Sequence, residues 1–568
     1  MNLTPEQRRL GKDNFHSVVG MTRRDFLLGA AAAGLASGAG LGAYYFGYEP
    51  AIGNPVRVGV IGTGDEGGVL IGAHNPEFVN VVAIADIRPY SRYRAFHGDQ
   101  STESAKLARP GLLAKYDWHS ESEARQNIKV YENDYHDLLN DSDVEAVIIA
   151  LPLHLHAVVA IEAMKAGKHV LTEKLMGHSV AECKEMARIA NDTGLLLATG
   201  HQRHYSVLYD NAVDTIRRGL VGKIHHIRAQ WHRGNLPGRD SWSPKLPADI
   251  QEELGNITAK LDALTADSGA DIDRTDALMA RKRLLIEMAK DADVDPAAYG
   301  YVDRTVKIGT ADDAPTYNLS GIEELIRWRL WNRTGGGLMA ELGSHQLDAA
   351  GIFMTAMREA GAAKALPLTV TAFGHRSLFD PDRDCEDHVH CMYEYGNANY
   401  DPADPQHRED KTVVSYSSIN GNQYGGYGEV VMGTDATLIL EREQETMLFQ
   451  HNSTSRRVRV ANSGDKPILQ TTDSVEPAAA IANNALAGPV SKGYTEEIEH
   501  WAWCIRNPDP ENKPRCYPQV ALADAVIALT TNVAIREGRK IDFQDSWFDI
   551  DSDETPDGST PDVSKYDS

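Results

Sequence analysis

The chain has 568 residues, enough for two or three domains with complete cores. Its 81 acidic residues outnumber 57 lysines and arginines and leave a formal net charge of −24. That balance argues against nucleic acid or an anionic membrane surface as a partner, and solubility alone accounts for it.

Near the start, Thr22-Arg23-Arg24-Asp25-Phe26-Leu27-Leu28 precedes an Ala/Gly-rich apolar stretch that ends at about Phe46. A charged region followed by an apolar run is the layout of an export signal, and the paired arginines point to the twin-arginine route. Residues 1–50 are therefore expected to be signal and linker outside the fold. The protein is expected to meet the twin-arginine export machinery and to work in the periplasm or otherwise outside the cytoplasm. No clean cleavage site is visible, so retention by an uncleaved anchor stays open.

The next element carries the most chemistry. An apolar strand, Val56 to Ile61, turns through Gly62-Thr63-Gly64-Asp65-Glu66-Gly67 into a helix-length segment, and a second apolar run ends on Asp86. This is the order of a dinucleotide site. Gly62 permits the tight turn, Gly64 lets the backbone approach a pyrophosphate, and Gly67 lets the helix pack closely on the strand. Free amides at the helix start hold the phosphates. Asp86 accepts from both ribose hydroxyls and favours NAD, whereas nearby Arg88 offers a partner to a 2′-phosphate and leaves NADP open. An exported enzyme has no cellular pool with which to exchange NADH, so the cofactor is expected to be tightly bound.

Further strands follow at Lys129–Tyr131, Val144–Leu151 and His169–Thr172, with a helix from about His156 to Lys165. Strands alternating with helices predict a doubly wound parallel sheet, assigned to residues 55–176. Pro152 and His156 follow the fourth strand at the edge where such folds bind ligands. Glu173 and Lys174 end the fifth at the same edge, which places the lysine near the nicotinamide, where it suits hydrogen bonding to a reacting hydroxyl.

Residues 177–545 are read as a second α/β domain with a large open mixed or antiparallel sheet. Its strands fall near 368–373, 388–395, 412–417, 428–431, 437–442 and 447–450. A polar, helix-rich insertion spans about 244–310, with Leu261, Leu264, Leu278 and Leu285 among its charges. It is free to cover the site mouth, contact a neighbouring subunit or decorate the surface. Residues 546–568 form an acidic tail expected to be disordered. Five cysteines show neither a C-x-x-C pair nor zinc spacing and read mostly as buried thiols, with a Cys385–Cys391 pair as the lesser alternative.

Gly335-Gly336-Gly337 leads into a helix on which Glu341, His345 and Asp348 fall at i, i+4 and i+7, so that all three line one face. A histidine oriented by a carboxylate is a natural base for a hydroxyl proton. A Glu-x-x-x-His pair also suits a metal, with His388 or His390 as a further ligand, but no complete ligand set emerges and no metal is assigned.

These segments together resemble the Gfo/Idh/MocA oxidoreductases, the family of glucose–fructose oxidoreductase and inositol dehydrogenase. The resemblance rests on Gly62-x-Gly64-x-x-Gly67, Pro152 with His156, Gly167-Lys168-His169-Val170, Glu173-Lys174 and the triple-glycine segment through His345 and Asp348. It implies a Rossmann domain, a second domain with a large open sheet, and a homodimer or homotetramer. Leu175 stands where the family's Glu-Lys-Pro signature has proline, and Glu341 where aspartate is usual. By resemblance, Lys174, Glu341 and His345 are the catalytic candidates, with Glu341 orienting His345 or a sugar hydroxyl. Glu173, Pro152 and His156 flank the cofactor, and His201, Arg203, Tyr205 and Asp348 are candidates for substrate contact. The expectation is an NAD-dependent oxidoreductase acting on a secondary hydroxyl of a sugar, cyclitol or glycoside. The alternatives are an NAD-dependent glycosidase or lyase using transient oxidation, and a silent sugar or nucleotide sensor.

Overall fold

The computed structural model describes residues 3–19, 42–43, 45–265, 272–309, 311–359, 361–450, 459–463, 466–470 and 492–566. The paired arginines and most of the apolar stretch after them lie outside the described residues. Their flanks do not behave as a free leader. Helix α1 (Pro5–Val19) lies against a β-strand at Glu445–Gln450, where Asn14 donates to the Leu448 carbonyl at 3.1 Å and Arg8 pairs with Glu441. Phe46 and Tyr48 are buried, and the Tyr48 hydroxyl donates to Glu499 at 2.6 Å. The expectation that residues 1–50 stand outside the fold is corrected accordingly: apolar side chains on both flanks bury area against the body.

The first sheet is six-stranded and parallel, in the order β3-β2-β1-β4-β5-β6. Its strands are β1 (Val56–Ile61), β2 (Val79–Ala85), β3 (Lys129–Tyr131), β4 (Ala146–Ile149), β5 (His169–Glu173) and β6 (Leu197–Gly200). Between them run α2 (Asp65–Ala73), α3 (Pro89–His97), α4 (His156–Lys165) and α5 (Val180–Thr193). Successive residues alternate between two cores: Ala146 and Ile148 join one, Val147 and Ile149 the other. β6 completes this sheet, so the domain runs beyond residue 176. Helix α5 is fixed by a capping box, Ser179 with Glu182, and ends on Gly194 at φ +68°.

The second sheet has eight strands, ordered β15-β14-β13-β7-β12-β11-β10-β18. After α6 (Val207–Arg217) come β7 (Ile224–His232), helices α7 (Pro247–Thr265) and α8 (Ile272–Ala289), and a small hairpin of β8 (Arg304–Lys307) and β9 (Thr316–Leu319). Helix α9 (Ser344–Ala356) precedes β10 (Pro367–His375), β11 (His388–Gly396), β12 (Lys411–Ile419), β13 (Tyr427–Gly433), β14 (Ala436–Glu441) and β15 (Glu445–Gln450). A separate hairpin, β16 (Arg459–Ser463) with β17 (Lys466–Gln470), is followed by α10 (Tyr494–Arg506), α11 (Pro518–Glu537) and β18 (Ile541–Asp542). All pairings in the large sheet are antiparallel except β7 with β12. One face packs on α9 and α11. The other is covered over β13–β15 by α1, where Val430, Ile439, Met447 and Phe449 are buried, and is exposed over β10 and β11, with Phe373 60% and Met392 56% exposed.

Three boundaries differ from the sequence expectation. Helix α10 packs on the parallel sheet, where Ile498 and Trp501 join the core of Val58 and Val60. The insertion extends through the β8–β9 hairpin to about residue 320, and its helices form a small core of Ile250, Ile257, Leu261 and Leu285. The acidic tail is strapped to α5 rather than disordered. The buried Lys184 ammonium donates to the Ser546, Ser552 and Glu554 carbonyls, each at 2.8 Å, and Tyr566 donates to Glu185. Composition alone misses this because the compensating charges sit on a distant helix. All five cysteines are buried and free, which excludes the Cys385–Cys391 pair in this structure.

Candidate functional site

A cavity of about 820 Å³ opens at the C-terminal edge of the parallel sheet, a size suited to a dinucleotide and a small substrate. Gly62, Gly64, Asp86, Arg88, Pro152, His156, Glu173, Lys174 and Glu341 all line it. The three glycines play separable parts. Gly62 has φ +86°, and a Cβ there would meet the Ala150 carbonyl oxygen at 2.3 Å. A Cβ on Gly67 would meet the Gly62 carbonyl at 2.1 Å, which explains the close approach of α2 to its strand. A Cβ on Gly64 would meet nothing within 4 Å, so the backbone there faces open cavity. A cradle closed behind and open in front fits a pyrophosphate held by the amides of α2.

Asp65 and Glu66 place two acids in the first turn of α2, beside that cradle. Cations offset them: Arg94 donates to the Asp65 carboxylate at 2.7 Å, and Arg109 donates to its carbonyl at 3.0 Å. Asp86 is held in place by amides, its two oxygens accepting from Thr63 N and Arg88 N, each at 2.8 Å. Burial raises its pKa and these bonds oppose the shift.

The other end of the cavity is built from three distant segments. Lys174 follows β5, and its ammonium donates to the Glu341 carbonyl at 2.8 Å and lies 3.9 Å from the Glu341 carboxylate. Arg329 donates to the same carboxylate at 2.6 Å while its guanidinium stacks over Trp328. Burial alone would raise the Glu341 pKa, but Arg329 and Lys174 outweigh it and hold it at about 2. Glu341 is therefore an anion tying two cations to one wall. Glu173, beside Lys174, is pushed well above the usual carboxylate range by burial and then by Glu66.

The regular helical face expected for Glu341, His345 and Asp348 does not form. Residues Met339–Gly343 make a π-helical turn before α9, and the wider turn shifts the phase between Glu341 and the residues after it. Glu341 turns to Arg329 and Lys174 rather than orienting His345. His345 lies behind the cavity wall, 7% exposed, its ring 5.4 Å from Trp231 and 6.4 Å from His201. Its Nδ1 is buried without a hydrogen-bond partner among the described residues. Burial, then the charges of Lys174 and Arg203, hold its pKa well below the usual histidine value, so the imidazole is neutral.

The candidate substrate residues are placed differently from the expectation. Asp348 accepts from His204 at 2.9 Å and from Lys364 at 2.8 Å. His201 is buried 3.7 Å from Asp348, with its pKa lowered to about 3 by burial. Arg203 pairs with Glu443 at 3.1 Å. The Tyr205 hydroxyl is shared between His500 at 2.8 Å and the Arg515 amide at 2.6 Å. These four belong to the polar packing behind the wall, and none lines the cavity. His156 likewise sits between two carbonyls, of Leu175 at 2.8 Å and Leu151 at 2.9 Å; burial lowers its pKa, and the neutral ring has one N–H, which donates to one of the two.

One contribution escaped sequence reasoning. Arg329 belongs to no motif; only its neighbouring tryptophans hinted at a buried segment. The insertion forms part of the cavity, with Trp242, Ile250, Met288, Asp291 and Tyr301 on its wall. Of the three roles left open for it, covering the mouth is the one this wall realises.

Residues 56–201 match the family model GFO_IDH_MocA, described as an oxidoreductase family with an NAD-binding Rossmann fold. Inositol 2-dehydrogenase from Salmonella typhimurium is 37% identical over 92 residues, covering 16% of this chain and 27% of that protein. A glycosyl hydrolase family 109 protein from Solibacter usitatus is 28% identical over 227 residues, 37% of this chain and 46% of the other. The chain thus spans about a quarter to a half of the length of these curated relatives. Among solved structures, an oxidoreductase domain protein from Kribbella flavida aligns with TM-score 0.50 and 15% identity, over 86% of this chain and 100% of that one, a likeness of fold.

Proposed function

We propose that the whole chain oxidises or reduces a secondary hydroxyl of a sugar, cyclitol or glycoside with a tightly held NAD, a reading supported by the match of residues 56–201 to the family model of NAD-binding Rossmann-fold oxidoreductases. The observation that carries this reading is Lys174 on the cavity wall, fixed by Glu341 at the sheet edge that holds the glycine cradle. The amides of α2 and the carboxylate of Asp86 would hold the pyrophosphate and the adenosine ribose. When bound, NAD supplies a hydride acceptor at its nicotinamide. The Lys174 ammonium donates a hydrogen bond to the substrate oxygen and favours its alkoxide character as the C–H bond breaks. The alcohol becomes a ketone as the hydride leaves, and the hydroxyl proton passes through an intervening water to His345, which is kept neutral behind the wall. Glu341 and Arg329 act by fixing the ammonium, and a polyol suits a wall of such donors and acceptors.

A second reading is favoured by the likeness to the glycosyl hydrolase family 109 protein: transient oxidation, bond cleavage and return of the hydride. The two separate on a sugar panel read at the reduced-nicotinamide absorbance. Lasting reduction supports oxidoreduction, cleavage without net reduction supports the second cycle, and neither result with any substrate rejects both.

We also propose export by the twin-arginine route, supported by Arg23-Arg24 and the apolar stretch that follows. A homodimer or homotetramer through the exposed β10–β11 part of the eight-stranded sheet is supported by Phe373 and Met392. Arg24→Lys with Arg23→Lys in a fractionation assay, and light scattering of the purified protein, test these two statements.

A further inference from the structure

The insertion does more than roof the cavity. Its Asp291, 3% exposed, reaches from the segment after α8 to the end of β2, on the opposite side of the cavity mouth. One carboxylate oxygen accepts from Arg88 Nε at 2.9 Å and from a second guanidinium nitrogen of Arg88 at 2.7 Å. The other accepts from the Tyr90 amide at 3.0 Å, in the first turn of α3. A guanidinium and a free amide at a helix start form the donor set that binds a phosphate. Here a carboxylate from the chain itself fills it.

Asp86 stands next to this pair and accepts from the Arg88 amide. An adenosine ribose held by Asp86 would direct its 2′ position toward Arg88. The remaining cation at this strand end is also engaged: Arg92 donates to the Asp86 carbonyl at 2.8 Å and to Glu132 at 3.1 Å. A 2′-phosphate brings about −1.5 to −2 charges. Among the described residues it would meet two carboxylates and no uncommitted guanidinium, and it could reach Arg88 only by expelling a buried anion.

We propose that Asp291 is the residue that makes this protein select NAD over NADP, by occupying as part of the chain the anion position between Arg88 and the start of α3. The role falls to the insertion, so cofactor choice is set by a segment outside the Rossmann domain. This rests on the dinucleotide reading of the cavity and sharpens it. Asp86 alone repels a 2′-phosphate, but an available Arg88 would offset that repulsion. Asp291 removes the offset.

The test equilibrates the purified full-length protein with an equimolar mixture of NADH and NADPH, desalts it, and quantifies the nucleotides released on denaturation. The wild type is expected to retain NADH, and Asp291→Asn to move the NADPH:NADH ratio at least tenfold toward NADPH. Arg88→Gln leaves two carboxylates without their cation and is expected to move the ratio further toward NADH. That variant decides the matter if Asp291→Asn does not fold. A wild type that prefers NADPH, or a ratio within twofold of wild type in every variant that folds, overturns the proposal while leaving the cofactor reading standing. A wild type that retains neither nucleotide overturns the cofactor reading itself.

Discussion

The two ends of one cavity are built by different means. At the proposed nucleotide end, Gly62, Gly64 and Gly67 act through the absence of side chains, and the nearest atoms that close the cradle are backbone carbonyls, of Gly62 in the turn itself and of Ala150 just after β4. At the substrate end, Lys174, Glu341 and Arg329 act through side chains from three segments, held together by a buried ion cluster. A backbone site tolerates change in its surroundings but no change at its own positions. A side-chain site depends on packing far from the reacting atoms.

Removing the ammonium should give the largest effect. Lys174→Ala is expected to lower kcat by about 10³-fold while cofactor stays bound, because a positioned proton-transfer or hydrogen-bonding group is worth ~10²–10⁴. Steady-state kinetics with cofactor quantified on the same sample checks it, and near-normal turnover would remove Lys174 from the site.

The glycines break the comparison from the other end. Gly62→Ala puts a Cβ on the Ala150 carbonyl at a positive φ, and a loss of roughly 2–4 kcal/mol in denaturant stability is expected together with loss of cofactor. Gly64→Ala meets no protein atom, so stability should hold within about 0.5 kcal/mol, while dinucleotide affinity falls at least ~10-fold as the methyl enters the phosphate space. Equal stability losses in the two variants would show that the cradle is not divided as described.

The smallest effect is on pH. His345 has its pKa lowered from 6.5, so it remains neutral, and competent as a base, as pH falls below that value. The acid limb of kcat/KM should therefore lie below pH 6.5. It should move upward in Arg203→Met, because one of the charges that disfavour the imidazolium is gone. An acid limb at or above 6.5 in the wild type, unmoved in the variant, would exclude His345 as the proton acceptor.

Much of this site was legible from residue order. The strand, glycine turn, helix and acid between Val56 and Asp86 lie within one local unit, so their spacing carries their geometry. Lys174 was legible for the same reason, being fixed by its place at the end of β5. Glu341 and His345 were found, but their mutual arrangement was not. Spacing arguments assume 3.6 residues per turn, and the π turn at Met339–Gly343 breaks that assumption without a marker in the residues. His201, Arg203, Tyr205 and Asp348 were placed in the pocket because they follow a strand end or share a helix, yet each is turned to a buried partner contributed from elsewhere.

By itself, then, the amino-acid order determined the parallel sheet, the glycine turn after β1, Asp86 at the end of β2 and the lysine at the sheet edge, since each depends on backbone conformation and short-range periodicity. Only the tertiary structure decided that Glu341 serves Lys174 rather than His345, that α10 joins the first sheet, that the acidic tail packs on α5, and that an insertion carboxylate closes on Arg88. Those outcomes depend on which charges meet after folding. A buried ion is stable only beside its partners, and here these lie up to hundreds of residues away, as Asp291 does from Arg88.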